Sequence, residues 1–96
     1  MKVKNLIAEK REEILKIAHK YGARNVRLFG SAARGRTSKS SDVDLLVEME
    51  PGRSLLDIVA IKQDLEDLLG RKVDVVTENA LSPYIRAEVL REAMSL

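Results

Sequence analysis

The sequence of 96 residues contains no cysteine, no tryptophan and only two prolines. Without cysteine, the chain can form neither a disulfide framework nor a thiolate metal site. No apolar run is long enough to cross a bilayer, and the charged N-terminal stretch lacks the apolar core of a signal peptide. We therefore expect a cytoplasmic protein without membrane contact. Aromatic residues make up 3% of the chain, which argues against a stacking surface and hence against stable nucleic-acid binding.

The remaining composition is that of a small globular protein, with 45% hydrophobic and 33% charged residues. A chain of this length is expected to form a single domain over residues 1–96. Its charges are unevenly distributed, because six basic and no acidic residues lie between Lys20 and Ser41, and eight acidic residues lie between Asp42 and Asp67. Such a division suits a site that attracts phosphate and holds a cation, although two solvated faces of opposite charge would give the same pattern.

Helical and strand periodicities alternate along the chain and predict an α/β (α+β) fold. The helix over residues 54–69 is expected to begin with a capping box at Ser54 and to end at Gly70. Its apolar positions, Leu55 among them, are expected to face the core. The predicted sheet is small and mixed, with about three strands packed with helices. A short loop permits strands one and two to be antiparallel, and an intervening helix permits strands two and three to be parallel. The patterns predict helices over residues 3–21, 54–69 and 83–94, a short helical turn after residue 30, and strands over residues 25–29, 42–49 and 72–78.

A pair of aspartates at the start of the second strand is the first candidate for chemistry. Asp42 and Asp44 are two residues apart, so both carboxylates point to the same side of the strand, with Cα atoms roughly 6.5 Å apart. Convergent carboxylates suit Mg²⁺, a hard ion that prefers oxygen ligands and shares its shell with substrate phosphates. Two solvated aspartates at a strand edge would produce the same motif, so the pair alone does not decide the matter.

The dipeptide Gly30-Ser31 follows the first strand and strengthens this interpretation. Glycine lets the backbone approach a phosphate closely, and the serine hydroxyl and the amides that follow can bind phosphate oxygens. Arg34, and less strongly Arg36, could neutralise phosphate charge, since arginine matches phosphate geometry. A serine-capped turn beside a solvated loop is the alternative. The combination of Gly-Ser, ten further residues and Asp-x-Asp at the head of an apolar strand is much more specific than either half.

The segment GSAARGRTSKSSDVDLLV resembles the signature of the DNA polymerase beta-like nucleotidyltransferase superfamily, and the length resembles its minimal, MntA-type branch. The resemblance implies that Gly30 and Ser31 bind a triphosphate and that Asp42 and Asp44 bind magnesium. It also implies a third catalytic carboxylate on a later strand, for which Asp74 is the matching residue. Two Mg²⁺ ions would then flank the α-phosphate, with Asp74 available to accept the proton of the attacking hydroxyl.

The resemblance further implies a function and a partner. Minimal nucleotidyltransferases are often antitoxins paired with a HEPN-domain ribonuclease toxin, in a type VII-like system. They transfer AMP from ATP to a tyrosine of that toxin. We therefore expect a protein adenylyltransferase that binds ATP and forms a hetero-oligomer with a HEPN-type partner, while a homodimer also stays open. Two alternatives remain at this point: an antitoxin that neutralises its partner by binding alone, and a nucleotidyltransferase with a small-molecule or RNA acceptor.

Overall fold

The computed structural model describes residues 3–30 and 43–96, which form a four-stranded mixed sheet with helices. In chain order the sheet contains strands β1 to β4, and a short 3-10 turn follows β3. Within these described residues, no helix is both long and apolar enough to cross a membrane. The elements are α1 (Val3–Glu9), α2 (Arg11–Lys20), β1 (Ala23–Phe29), β2 (Val43–Met49), α3 (Leu55–Leu69), β3 (Val73–Thr77), the 3-10 turn (Glu78–Ala80), α4 (Pro83–Glu92) and β4 (Met94–Ser95).

The strand order across the sheet is β3-β2-β1-β4. Strands β1 and β2 are antiparallel, whereas β2 and β3 are parallel and are connected through α3. Both orientations agree with the sequence prediction, and the mixed α+β class is confirmed. The predicted count of about three strands is one short, because the chain leaves the helical conformation at Ala93 (φ −63°, ψ 137°). Met94 and Ser95 then pair with β1 and so satisfy backbone groups on its outer edge.

The core lies between one face of the sheet and the helices α2 and α3. Alternate residues of β2 point into it, as the alternation of apolar side chains along the strand predicts. Thirteen buried side chains form this cluster: Ile7, Ile14, Ala18, Ala23, Val26, Leu28, Val43, Leu45, Val47, Ile61, Leu65, Leu69 and Val73.

Two sequence predictions about the helices need correction. The single helix expected over residues 3–21 is divided at Lys10 (φ −98°, ψ 10°), although the Lys10 amide still donates to the Leu6 carbonyl at 3.0 Å. Lysine is neither a helix breaker nor a turn residue, so no local signal marks the division. Leu55 does not face the core but is 76% exposed, because it lies on the solvent side of the first turn of α3.

The helix boundaries encoded by capping residues are confirmed. The Ser54 hydroxyl accepts a hydrogen bond from the Leu56 amide at 3.2 Å, and the Asp57 carboxylate accepts one from the Ser54 amide at 3.0 Å. At the other end of α3, Gly70 adopts a left-handed conformation (φ 65°), which glycine adopts without steric cost. Together these caps fix where α3 begins and ends, and therefore where β3 starts.

The second face of the sheet also contains a buried position. Leu46 is completely buried but is not part of the main core cluster, since it points away from α2 and α3. Its cross-strand partner is Arg27, whose side chain is only 11% exposed and forms an ion pair with Glu78 at 3.0 Å. This face of the sheet therefore contains a buried leucine and an ion pair, next to the two aspartates described below.

Candidate active site

The second face of the sheet brings two aspartates together across neighbouring strands. Phe29 of β1 lies opposite Asp44 of β2, and Asp44 lies opposite Asp74 of β3. Residues in register on neighbouring strands point to the same face, and the strands themselves are about 4.8 Å apart. Both aspartates are half-buried. The parallel register thus places the two carboxylates side by side, at the end of the sheet where β1 finishes and β2 and β3 begin.

A carboxylate on α3 fixes the start of β3 and hence the position of Asp74. The Glu66 side chain accepts hydrogen bonds from the Val73 backbone amide at 3.0 Å and from Lys62 Nζ at 2.7 Å. The bond from Lys62 and that from the Val73 amide lower the pKa of the Glu66 carboxyl below its ordinary value of 4.5. Sequence reasoning missed this residue, because a glutamate on a helix carries no local sign of the strand that it will contact.

Gly30 lies against the Asp44 side chain. Its backbone is left-handed (φ 77°), which disfavours any residue with a Cβ atom. A Cβ built at this position would overlap with Asp44 Oδ2 and would lie 3.2 Å from Asp44 Cγ. The sequence explained this glycine by the approach of a phosphate. The structure adds a second reason, because the space that a side chain would need is occupied by the Asp44 carboxylate.

Several predicted site residues fall in the segment 31–42, which lies outside the described residues. This applies to Ser31, Arg34 and Asp42, and also to the short helical turn expected after residue 30. Their roles in phosphate and metal binding stay predictions. The three predicted residues that the structure does describe, Gly30, Asp44 and Asp74, are brought together at one end of the sheet.

The donor atoms at this position fit a hard divalent cation. Two carboxylates from neighbouring strands supply oxygen ligands, which Mg²⁺ prefers, and Mg²⁺ usually completes its shell with water and substrate phosphate oxygens. Among residues 3–30 and 43–96, no group of three or more histidine, aspartate or glutamate side chains could hold a metal. Asp42, which the sequence predicts as a further carboxylate ligand, lies outside the described residues.

A surface depression of about 290 Å³ lies elsewhere on the molecule. It is found where β2 and β3 end, whereas Asp44 and Asp74 lie where these strands begin. The depression is therefore separate from the paired aspartates. It is lined by Glu48, Met49, Thr77, Glu78 and Asn79.

Comparison with known proteins agrees with this arrangement. The model of the nucleotidyltransferase domain family matches residues 9–95. The chain is 41% identical over 90 residues to a candidate protein adenylyltransferase of Methanocaldococcus jannaschii, which covers 94% of this chain and 97% of that relative. It is 39% identical over 89 residues to the protein adenylyltransferase MntA of Thermococcus cleftensis, covering 93% of this chain and 86% of the relative.

Solved structures give the same result at the level of the fold. The structure of a protein described as a candidate minimal nucleotidyltransferase superimposes with a TM-score of 0.88 at 47% identity, covering 97% of this chain and 95% of that one. A toxin–antitoxin crystal structure with AMP-PNP shares the fold at 22% identity, with a TM-score of 0.74 and coverage of 88% and 69%. A mixed sheet that pairs two aspartates beside a glycine turn is thus the fold of a nucleotidyltransferase. The chain belongs to the nucleotidyltransferase domain family.

Proposed function

We propose that this chain is a magnesium-dependent protein adenylyltransferase that transfers AMP from ATP to a hydroxyl group of a partner protein. The observation that carries the proposal is the pairing of Asp44 with Asp74 on neighbouring parallel strands, directly beside Gly30. Two carboxylates held this close repel each other unless a cation lies between or beside them. The activity named for the relatives in Methanocaldococcus jannaschii and Thermococcus cleftensis supports the same reaction.

The proposed reaction divides the work among these residues. Gly30 and Ser31 bind the triphosphate, and Arg34 neutralises part of its charge. Asp42, Asp44 and Asp74 would hold two Mg²⁺ ions, which would supply positive charge that favours attack on the α-phosphate and loss of pyrophosphate. The acceptor hydroxyl oxygen attacks the α-phosphorus of ATP, the bond to the pyrophosphate breaks, and Asp74 accepts the proton of the hydroxyl.

For the partner, we propose a HEPN-type ribonuclease toxin that is silenced when one of its tyrosines is adenylylated. The chain would then act as the antitoxin of the pair. The support comes from two sources: a relative bears the name of the adenylyltransferase MntA, and an MntA–HpeT toxin–antitoxin structure shares the fold. The cytoplasmic location expected from the sequence stays a prediction.

Transfer of labelled AMP tests the proposed reaction. The purified chain, incubated with Mg²⁺, ATP labelled at the α-phosphate and the proposed HEPN-type partner protein, should give a labelled partner. Asp44→Asn should reduce the labelling at least 100-fold, because it removes a negative oxygen from the metal site. Glu48→Gln is the matched control, since it removes one charge from the same face of the same strand at its exposed far end, and it should label normally.

Toxin neutralisation and pyrophosphate release, measured alongside the labelling, distinguish the alternatives. If Asp44→Asn still neutralises the toxin fully, the chain acts by binding and the catalytic proposal is wrong. If the wild-type chain releases pyrophosphate only when an RNA or a small hydroxyl compound is added, the acceptor class is wrong. If it gives neither labelling nor pyrophosphate with any acceptor, the transferase reaction itself is refuted.

A further inference from the structure

The two tyrosines of the chain differ sharply in what their hydroxyl groups can do. Tyr21 is half-buried, and its hydroxyl donates a hydrogen bond to Asp64 Oδ2 at 2.9 Å. Tyr84 is 94% exposed. A hydroxyl can attack ATP only if it can reach the α-phosphorus in an active site. Tyr84 meets the requirement of access, whereas Tyr21 does not.

The structure holds Tyr84 in a defined position at the start of α4. The Ser82 hydroxyl accepts a hydrogen bond from the Tyr84 backbone amide at 3.2 Å, and Pro83 occupies the first helical position, where its fixed φ angle favours the helix. The first turn of α4 carries no acidic side chain, and the helix has no buried residue. The tyrosine therefore projects from an ordered helix start, without packing that would have to be broken.

The position of Tyr84 excludes its reaction with ATP bound in the active site of the same copy. Asp74 lies near the beginning of β3 and Thr77 at its end, which is a distance of roughly 10 Å along the strand. The 3-10 turn and Leu81 follow before α4 begins, and residues of this turn line the same depression as the end of β2. From there α4 runs back toward Met94, which pairs with Leu28 near the aspartates. Tyr84 thus lies at the far end of the helix from the site.

We propose that Tyr84 is an adenylylation site of this protein and that a second copy of the chain carries out the modification. The inference rests on the proposed adenylyltransferase function and adds a second acceptor to it. The Tyr84 phenolic oxygen forms a bond to the α-phosphorus of ATP held by the other copy. The bond to the pyrophosphate breaks, pyrophosphate leaves with its electron pair, and the phenolic proton passes to the Asp74 carboxylate of the copy that holds ATP.

Intact-protein mass spectrometry and label transfer test this proposal on the full chain without any partner protein. After incubation with Mg²⁺ and ATP labelled at the α-phosphate, we expect addition of AMP, with peptide mapping placing it on Tyr84. Tyr84→Phe should lower incorporation at least tenfold, while Tyr21→Phe should leave it unchanged. Circular dichroism would verify that both variants are folded.

Mixing two differently tagged copies tests the intermolecular step. An Asp44→Asn copy cannot modify itself, so label on that copy in the presence of the differently tagged wild-type chain supports transfer between molecules. Label on any residue other than Tyr84, or undiminished label in Tyr84→Phe, overturns the proposal. If the HEPN-type partner is labelled but the chain is not, the self-modification is refuted and the proposed function stands. If nothing is labelled, both are refuted.

Discussion

Replacing Gly30 by alanine would separate its contribution to the stability of the fold from its contribution to catalysis. The left-handed backbone at Gly30 (φ 77°) costs an alanine about 1–2 kcal/mol. The new Cβ would also meet Asp44 Oδ2, while Asp44 Cγ and Cβ would lie at 3.2 and 3.4 Å. Only the carboxylate is too close, so it can rotate away without unfolding the strand. We therefore expect a loss of about 1–2 kcal/mol in the free energy of unfolding, with a displaced Asp44 carboxylate.

The displacement should affect catalysis far more than stability. A shift of about 1 Å in a group that positions the reacting atoms can lower a rate about 100-fold, so we expect AMP transfer by Gly30→Ala to fall by that factor. The matched control is Gly70→Ala, which imposes the same kind of strain (φ 65°) in open space with no atom within 4 Å. Urea unfolding should show similar losses of stability for both variants, whereas label transfer should fall only for Gly30→Ala. Equal activities in the two variants would refute the steric argument.

Three further substitutions test other parts of the structure. Asp74→Asn should lower AMP transfer at least 100-fold without loss of unfolding free energy, since it removes like-charge repulsion; unchanged kinetics would remove Asp74 from the catalytic set. Because Lys62 and the Val73 amide lower the pKa of Glu66 in the folded state, this carboxylate stabilises the fold above pH 4.5, and the contribution disappears as the pH falls through the folded-state pKa. Glu66→Gln should therefore be less stable than wild type in urea at pH 7, and the difference should shrink as the pH is lowered below 4.5; a pH-independent difference would contradict the linkage. Ser54→Ala should cost about 1 kcal/mol in unfolding free energy, while Ser54→Thr, which keeps the capping hydroxyl, should cost less.

Local rules predicted the parts of the fold that depend on neighbouring residues. The capping box at Ser54 and the glycine at position 70 give α3 its limits, and the alternation of apolar residues gives β2 its buried face. Each of these patterns is complete within a few residues, so sequence alone contains the physical cause. Ser82 and Pro83 mark the start of α4 by the same kind of local signal.

The features that were missed depend on contacts between distant segments. Met94 and Ser95 form a strand because the edge of β1 is available, and nothing within the last residues indicates that edge. Leu55 has the spacing of a core residue, but the orientation of α3 on the sheet leaves it exposed. The Glu66 carboxylate accepts a hydrogen bond from the Val73 amide only because α3 crosses back over the sheet. Helical periodicity cannot specify these contacts, since it shows which residues share a helix face but not which segment that face contacts.

The same distinction explains how the candidate site is assembled. Asp42 and Asp44 are close in sequence, so a local motif was enough to find them, but Asp74 reaches Asp44 only through the parallel register of β2 and β3. A shift of that register by one residue would turn Asp74 to the opposite face of the sheet. The Val43 amide donates to the Lys72 carbonyl at 2.9 Å, and Glu66 fixes the next amide along β3. The register is therefore set by hydrogen bonds just before the two aspartates in β2 and β3. The relative position of Asp44 and Asp74 thus depends on the connection between α3 and β3.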